Sequence, residues 1–147
     1  MSEREVPKLL SQKSGTCYTL RMKTGFLKQN GVHLRDHEYH TVKLFLEHGY
    51  DVELIPPSTI KGLQMPDIMM VGVPWEIKSP EGNSRTTIKH TIQKAMHQSN
   101  NVIDDLRRCG VNQDAALKEL DQYFKLSRRA KRMKVVTKTG EIFDFSK

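Results

Sequence analysis

The sequence predicts an α/β fold, a mixed central sheet flanked by helices, and three observations carry that expectation. Segments with apolar residues at helical spacing alternate with short apolar runs bounded by Gly, Pro and Asn. Taken in order these segments read αβββαβαββ, the pattern of an α/β sandwich. At 147 residues, 37% hydrophobic and 28% charged, the chain is long enough for one domain with a real core. The whole of 1–147 is therefore expected to be a single domain. It divides into a poorly periodic N-terminal segment over 1–30, a core over 36–108, and a C-terminal helix and hairpin over 112–147.

The first helix is expected from Asp36, a plausible N-cap, to His48, with Gly49 as its C′ residue. At 100° per residue Val42, Phe45 and Leu46 form its apolar stripe. Glu38 falls on the same stripe one turn earlier, where amphipathicity alone would not place a carboxylate. Asp51-Val52-Glu53-Leu54-Ile55 alternates like a strand and stops at Pro56-Pro57. Two further strands, near 67–71 and 74–78, turn at Gly72 as a hairpin. After the loop Ser79-Pro80-Glu81-Gly82-Asn83, a second helix capped by Asn83 or Ser84 places Ile88, Ile92, Ala95 and Met96 on one face. Residues 101–106 read as another strand and Gln113–Lys131 as a third helix with Leu117, Leu120 and Phe124 inward. Residues 134–137 and 141–145 close the chain as a hairpin about Lys138-Thr139-Gly140. Within 1–30, only 16–22 suggests a short strand or helical turn.

Composition bounds the function. No apolar run approaches the roughly 20 residues that span a bilayer, and the charged start Met1-Ser2-Glu3-Arg4-Glu5 has no signal-peptide core after it. Cys17 and Cys109 form no Cys-x-x-Cys pair and read as reduced thiols in a cytoplasmic setting. The net charge of +7 and pI of about 9.5 favour a polyphosphate partner, since each neutralised phosphate releases counterions. Arg128, Arg129, Lys131, Arg132 and Lys134 cluster near the end of the third helix, and Arg107-Arg108 adds a second pair. These read either as a solvated helix end or as a nucleic-acid contact.

The chemistry is concentrated in Pro66-Asp67, followed after eight residues by Glu76-Ile77-Lys78. Charges in strands this apolar cost several kcal/mol each unless they hold a cation or one another. Side chains alternate along a strand, so Glu76 and Lys78 project together while Ile77 enters the opposite layer. If the two strands pair, Asp67 approaches Glu76, and the two carboxylates can share an oxygen-loving Mg²⁺ or Mn²⁺, with the Ile77 backbone carbonyl as a further ligand. Lys78 can then orient the attacking water and neutralise charge on a phosphate. Glu38 is the candidate for an additional ligand to metal or water. The plain alternative makes Glu76 and Lys78 solvent-facing residues of an edge strand.

Pro66-Asp67, then Trp75-Glu76-Ile77-Lys78-Ser79-Pro80-Glu81-Gly82-Asn83, Gln98-Ser99 and Val102-Ile103-Asp104-Asp105-Leu106-Arg107-Arg108, resemble the C-terminal tRNase domain of contact-dependent growth inhibition toxins, in the PD-(D/E)xK nuclease superfamily. The stretch from Glu38 through Gly49-Tyr50-Asp51-Val52-Glu53-Leu54-Ile55-Pro56 is similar to that family's first helix and strand. The resemblance covers roughly 35–110. It implies a restriction-endonuclease-like core, dependence on a divalent metal (Mg²⁺, or Mn²⁺ or Zn²⁺), and RNA, specifically tRNA, as substrate. It implies Glu38, Asp67, Glu76 and Lys78 as the active site, with Gln98 as an additional candidate. His97, Arg107, Arg108, Arg128, Arg129, Lys131 and Arg132 are expected to help bind the substrate. A toxin of this kind implies a cognate immunity partner and action in the bacterial cytoplasm, with delivery into a target cell. No delivery segments are visible in the chain, so an excised toxin domain or a stand-alone relative is expected.

Other residues invite functional readings with plainer counterparts. His33, His37 and His40 could hold a transition metal or act as acid and base, yet they lie opposite the apolar stripe and read as a solvated face. His90 also falls on a polar helix side. Trp75 could stack a base but reads as core, as do Met65, Met69 and Met70. The rival functions are a DNA nuclease of the same superfamily and a non-catalytic nucleic-acid-binding or phage structural module.

Overall fold

The computed structural model describes residues 24–147, with β1 (Leu27–Lys28), α1 (Asp36–Glu47), β2 (Val52–Leu54), β3 (Ile68–Met70), β4 (Val73–Lys78), α2 (Thr87–Gln98), β5 (Asn101–Asp105), α3 (Gln113–Leu126), β6 (Arg132–Val136) and β7 (Ile142–Ser146). The expected αβββαβαββ order is present, preceded by the two-residue β1. The proposed element over 16–22 and Cys17 lie outside the described residues. The seven strands form one sheet in sequence order. Strands β1 and β2, β4 and β5, and β5 and β6 pair in parallel, while the other neighbours are antiparallel. The sheet is therefore mixed, as its tight turns and helical crossovers require.

Two apolar layers sandwich the sheet. On one face Val42 and Phe45 of α1 pack against Val52, Leu54, Ile68, Trp75, Ile77 and Ile103. On the other, α2 and α3 pack against Val102, Met133 and Val135. Trp75 is buried and donates its indole N–H to the Met70 carbonyl at 2.8 Å, so it is core rather than a stacking platform. Met70 is core, but Met65 is exposed and Met69 half-buried on the face that α1 does not cover, which corrects the reading of all three as core.

Local chemistry explains the boundaries. Helix α1 begins with Arg35 as N-cap rather than Asp36, because the Arg35 N–H finds the Glu38 carboxylate at 3.0 Å. It ends as expected, with Gly49 at φ +90. Helix α2 starts later than expected, at Thr87, because Ser84–Thr86 form a hydroxyl-bonded turn ahead of it. Helix α3 stops at Leu126, five residues short of Lys131. There the Ser127 hydroxyl accepts from the N–H groups of Arg129 and Ala130 and draws the chain off the helix. The β3–β4 turn is two residues, Val71 at φ +48 and Gly72 at φ +80, the geometry of a type I′ hairpin.

Candidate active site

Asp67 sits one residue before β3, where its N–H donates to the Trp75 carbonyl at 3.0 Å and continues the hairpin pairing. The register puts Asp67 level with Glu76, two carboxylates on one face. The Ile77 N–H donates to Asp67 Oδ2 at 2.8 Å. In a strand the N–H and C=O of one residue share an edge, so the Ile77 carbonyl also points to the Asp67 side. The Ile77 side chain enters the α1 layer, leaving Glu76 and Lys78 on the α2 face. Lys78 Nζ lies 3.1 Å from Glu76 Oε2 and donates to Gln98 Oε1 at 3.2 Å.

These groups line a cleft of about 310 Å³ bounded by the start of α1, the carboxyl end of β4 and the first half of α2. Glu38, Asp67, Glu76, Ile77 and Lys78 are all part of it. Its two inner carboxyls, Asp67 and Glu76, share one nearby cation, Lys78. Glu76 is almost wholly buried and its Oε1 has no hydrogen-bond partner among the described residues. Burial, followed by the neighbouring Asp67 carboxylate, pushes the Glu76 carboxyl up to about 7, and Lys78 only partly opposes this. Burial also raises Asp67, against the lowering effect of the Ile77 N–H. Glu38 is half-buried at the rim, with one oxygen engaged at the Arg35 N–H, and adds to the repulsion on Asp67.

A fourth carboxylate stands behind the cleft. Asp104 on β5 pairs with Lys78 across the parallel ladder and shares its face. It is wholly buried, neither oxygen has a hydrogen-bond partner among the described residues, and burial pushes its carboxyl up to about 7. The next residue has the opposite surroundings. Asp105 faces α1 and accepts from Thr41 Oγ1 at 2.6 Å, from the Arg107 N–H, and from the Arg107 guanidinium.

Not every expected substrate contact reaches the cleft. Arg107 is locked to Asp105 and to the His40 carbonyl, and Asp105 holds its guanidinium above the usual arginine range. Arg108 lies nearer, but donates to Ser79 and pairs with Glu81 at 2.5 Å. Among the terminal cations, Lys134 is buried against Tyr50, Trp75 and Asp144. Arg132 donates to Asn101 at the amino end of the parallel strands, away from the cleft, and Lys131 joins the same end through its backbone. Arg128 is exposed in the loop after α3. Arg129 and His97 line a different groove, between α2 and α3. The reason is the early end of α3, which leaves Arg128, Arg129 and Lys131 in a loop and Arg132 at the start of β6, at the wrong end of the sheet.

The cleft instead contains Arg35, Thr91 and Lys94, which the sequence reading did not single out, together with His37 and His90. His37 and His90 looked like solvated positions. Thr91 and Lys94 share a helical face with Gln98, a signal that periodicity carried once Gln98 was singled out. Among the described residues no three His, Cys, Asp or Glu side chains form a group able to hold a metal ion, so the His33/His37/His40 metal reading fails. Two carboxylates, a backbone carbonyl and water nonetheless form a set that suits Mg²⁺, which binds through one or two carboxylates and completes its shell with water and phosphate. The unpartnered Glu76 oxygen and the all-oxygen donors fit such an ion, and suit Mg²⁺ or Mn²⁺ better than Zn²⁺.

Residues 64–142 match the family model for the contact-dependent growth inhibition CdiA C-terminal domain. The chain belongs to this family. A solved structure described as a CdiA-CT/CdiI toxin and immunity complex from Burkholderia pseudomallei matches with a TM-score of 0.65 at 18% identity, over 84% of this chain and 100% of that one. None of the curated proteins compared with the chain matches it. The match establishes a CdiA C-terminal toxin domain, and the solved structure shares its fold. In this toxin domain the family match spans β3, β4, α2 and β5, and so contains Asp67, Glu76, Lys78 and Gln98, while Glu38 lies upstream of it. Among the described residues no helix is long and apolar enough to cross a membrane.

Proposed function

We propose that this toxin domain is a metal-dependent ribonuclease of PD-(D/E)xK type, acting on tRNA in the cytoplasm of the cell that receives it. The observation that carries the reading is the convergence of Asp67, Glu76 and Lys78 in one cleft, with a buried Glu76 oxygen lacking a partner. Asp67, Glu76 and the Ile77 carbonyl would hold the ion, with Glu38 at the rim. A divalent cation supplies Lewis acidity toward a phosphoryl oxygen and acidifies bound water. Lys78, already fixed by Glu76 and Gln98, orients the attacking water and neutralises charge as the bond from phosphorus to the leaving oxygen breaks. Arg35 and Lys94 at the cleft wall neutralise flanking phosphates. The neighbouring fold occurs in a toxin and immunity complex, and a basic toxin favours an acidic immunity partner seated over this cleft.

The test incubates the domain with total tRNA, ribosomal RNA and duplex DNA, in Mg²⁺ or EDTA, beside Lys78→Ala. Cleavage of tRNA by the wild type in Mg²⁺ alone is expected, with a loss of at least about 100-fold in the variant. Cleavage of DNA alone would move the assignment to a DNA nuclease of the superfamily. If wild type and variant leave all three substrates intact in Mg²⁺, the nuclease reading is wrong. Fluorescence of the single tryptophan, Trp75, reports that the variant is folded.

A further inference from the structure

Helix α2 separates the cleft from a second depression of about 540 Å³ on the molecule, the groove it forms with the end of α3. The floor of this groove is apolar, with Ile92 and Met96 below and the half-buried Tyr123 at the side. Leu126 stands at the lip, 80% exposed. Among the described residues no acidic one lines it, while Arg129 does. Arg128 and Lys131 are exposed on either side of Arg129 in the loop that follows. An apolar, aromatic hollow edged by guanidinium groups is complementary to an unpaired base with its phosphates: the ring enters the hollow and the anion meets the rim.

The ridge of α2 joins the two depressions. His90, Lys94 and His97 are spaced four and three, so they stand on one line along the helix. His90 and Lys94 line the cleft and His97 lines the groove. Seven residues of helix cover about 10 Å. A single strand bridges that distance in a few nucleotides at most.

We infer that the α2–α3 groove is a base-stacking subsite for an unpaired nucleotide of the RNA, a few residues at most from the bond cut in the cleft. The inference rests on the ribonuclease reading and adds to it where the strand runs and which conformation is selected. A strand crossing the α2 ridge presents its phosphates to Lys94 and the two imidazoles, then places one base against Tyr123 with Arg129 on its phosphate. A duplex cannot deliver that base without unstacking it, so single-stranded segments are preferred.

The test uses Lys78→Ala as parent, so that RNA is bound and not cut, with a fluorescein-labelled single-stranded RNA of about 12 nucleotides and its duplex as probes. Anisotropy is read over a range of salt concentrations. Tyr123→Leu, which keeps apolar packing but removes the ring, is expected to weaken single-strand binding about tenfold and leave the salt slope unchanged. Tyr123→Phe is expected to bind as the parent does. Arg129→Ala should weaken binding and reduce the salt slope by about one. Thermal melting followed by Trp75 fluorescence confirms folding of each variant. If the parent binds RNA and both Tyr123→Leu and Arg129→Ala bind equally well, the subsite is refuted while the ribonuclease reading stands. If the parent binds no RNA at all, both fail. If poly-glutamate competes as effectively as RNA and is equally sensitive to Tyr123→Leu, the groove belongs to an acidic protein and the proposal is overturned.

Discussion

Replacing Asp104 with Asn should make the domain more stable at alkaline pH and nearly unchanged at acid pH. Asp104 has an ordinary carboxyl value of 3.8, and burial raises it to about 7 in the fold. The folded state therefore holds a proton that the unfolded state has released between these values, and stability falls as pH rises through the window. Above about 7 the full penalty remains, since the folded chain then contains a buried carboxylate with no hydrogen bond to either oxygen. A gap of about three pH units corresponds to about 4 kcal/mol, and attraction to Lys78 across the ladder is already included in that value. Asn has the same shape and no charge, so Asp104→Asn should gain about 2–4 kcal/mol over the wild type near pH 8, about 1–2 kcal/mol near pH 5 and almost nothing below about pH 4. Urea unfolding followed by Trp75 fluorescence measures the difference directly, because comparing the two proteins cancels the titration of Asp67 and Glu76. Parallel pH profiles, or a variant destabilised equally at all three values, would mean that the Asp104 oxygens are satisfied and the reasoning is wrong.

Three further outcomes are expected. Mg²⁺ should raise the melting temperature near pH 8 and act with about 100-fold weaker apparent affinity near pH 5, because a proton competes for a Glu76 carboxyl poised at about 7; calorimetric titration checks this, and Glu76→Gln should abolish the effect. Arg107→Ala should cost about 3–5 kcal/mol by leaving Asp105 buried and unpaired, whereas Arg108→Ala, whose partner Glu81 is exposed, should cost no more than about 1 kcal/mol by denaturant titration. Val71→Asn should stabilise the fold by about 1 kcal/mol, since a β-branched residue at φ +48 in an exposed I′ turn is replaced by one that tolerates this conformation; a lower melting temperature would contradict it.

The strands and helices were legible because period and punctuation agree. Gly72 marked the hairpin, Gly49 ended α1, and Pro56-Pro57 ended β2, while Val71 read as strand and is instead the first turn residue. Asp67, Glu76 and Lys78 face one cleft because strand alternation and the hairpin register fix which side chains share a face, whereas Glu38 reaches its rim from the start of α1. Positions set by long-range pairing were harder to read. Nothing local says that β5 lies beside β4 in a register that brings Asp104 opposite Lys78. The end of α3 turned on Ser127, whose hydroxyl competes with the helix for backbone N–H groups, and the basic run moved to another part of the molecule as a result. Arg107 read as a free cation because its carboxylate partner, Asp105, was expected to lie along a strand like any other residue.

The adjacent acids Asp104 and Asp105 show where this fold tolerates incomplete pairing. Strand alternation sends them to opposite faces, and both are buried. On the α1 side every feature of a structural anion is present: a hydroxyl, a bidentate guanidinium and a backbone N–H. On the α2 side Asp104, Glu76 and Asp67 have one ammonium close by, and Lys78 is already engaged by Glu76 and Gln98. A fold selected for stability alone would have little reason to keep three raised carboxyls around one lysine, because neutral side chains of similar size remove the penalty. Such a cluster of buried carboxyls is what a cation site requires before the cation arrives, and the bound cation in turn favours a phosphate. The unfavourable charge is confined to the face that carries the cleft, which ties the stability cost to the chemistry proposed for it.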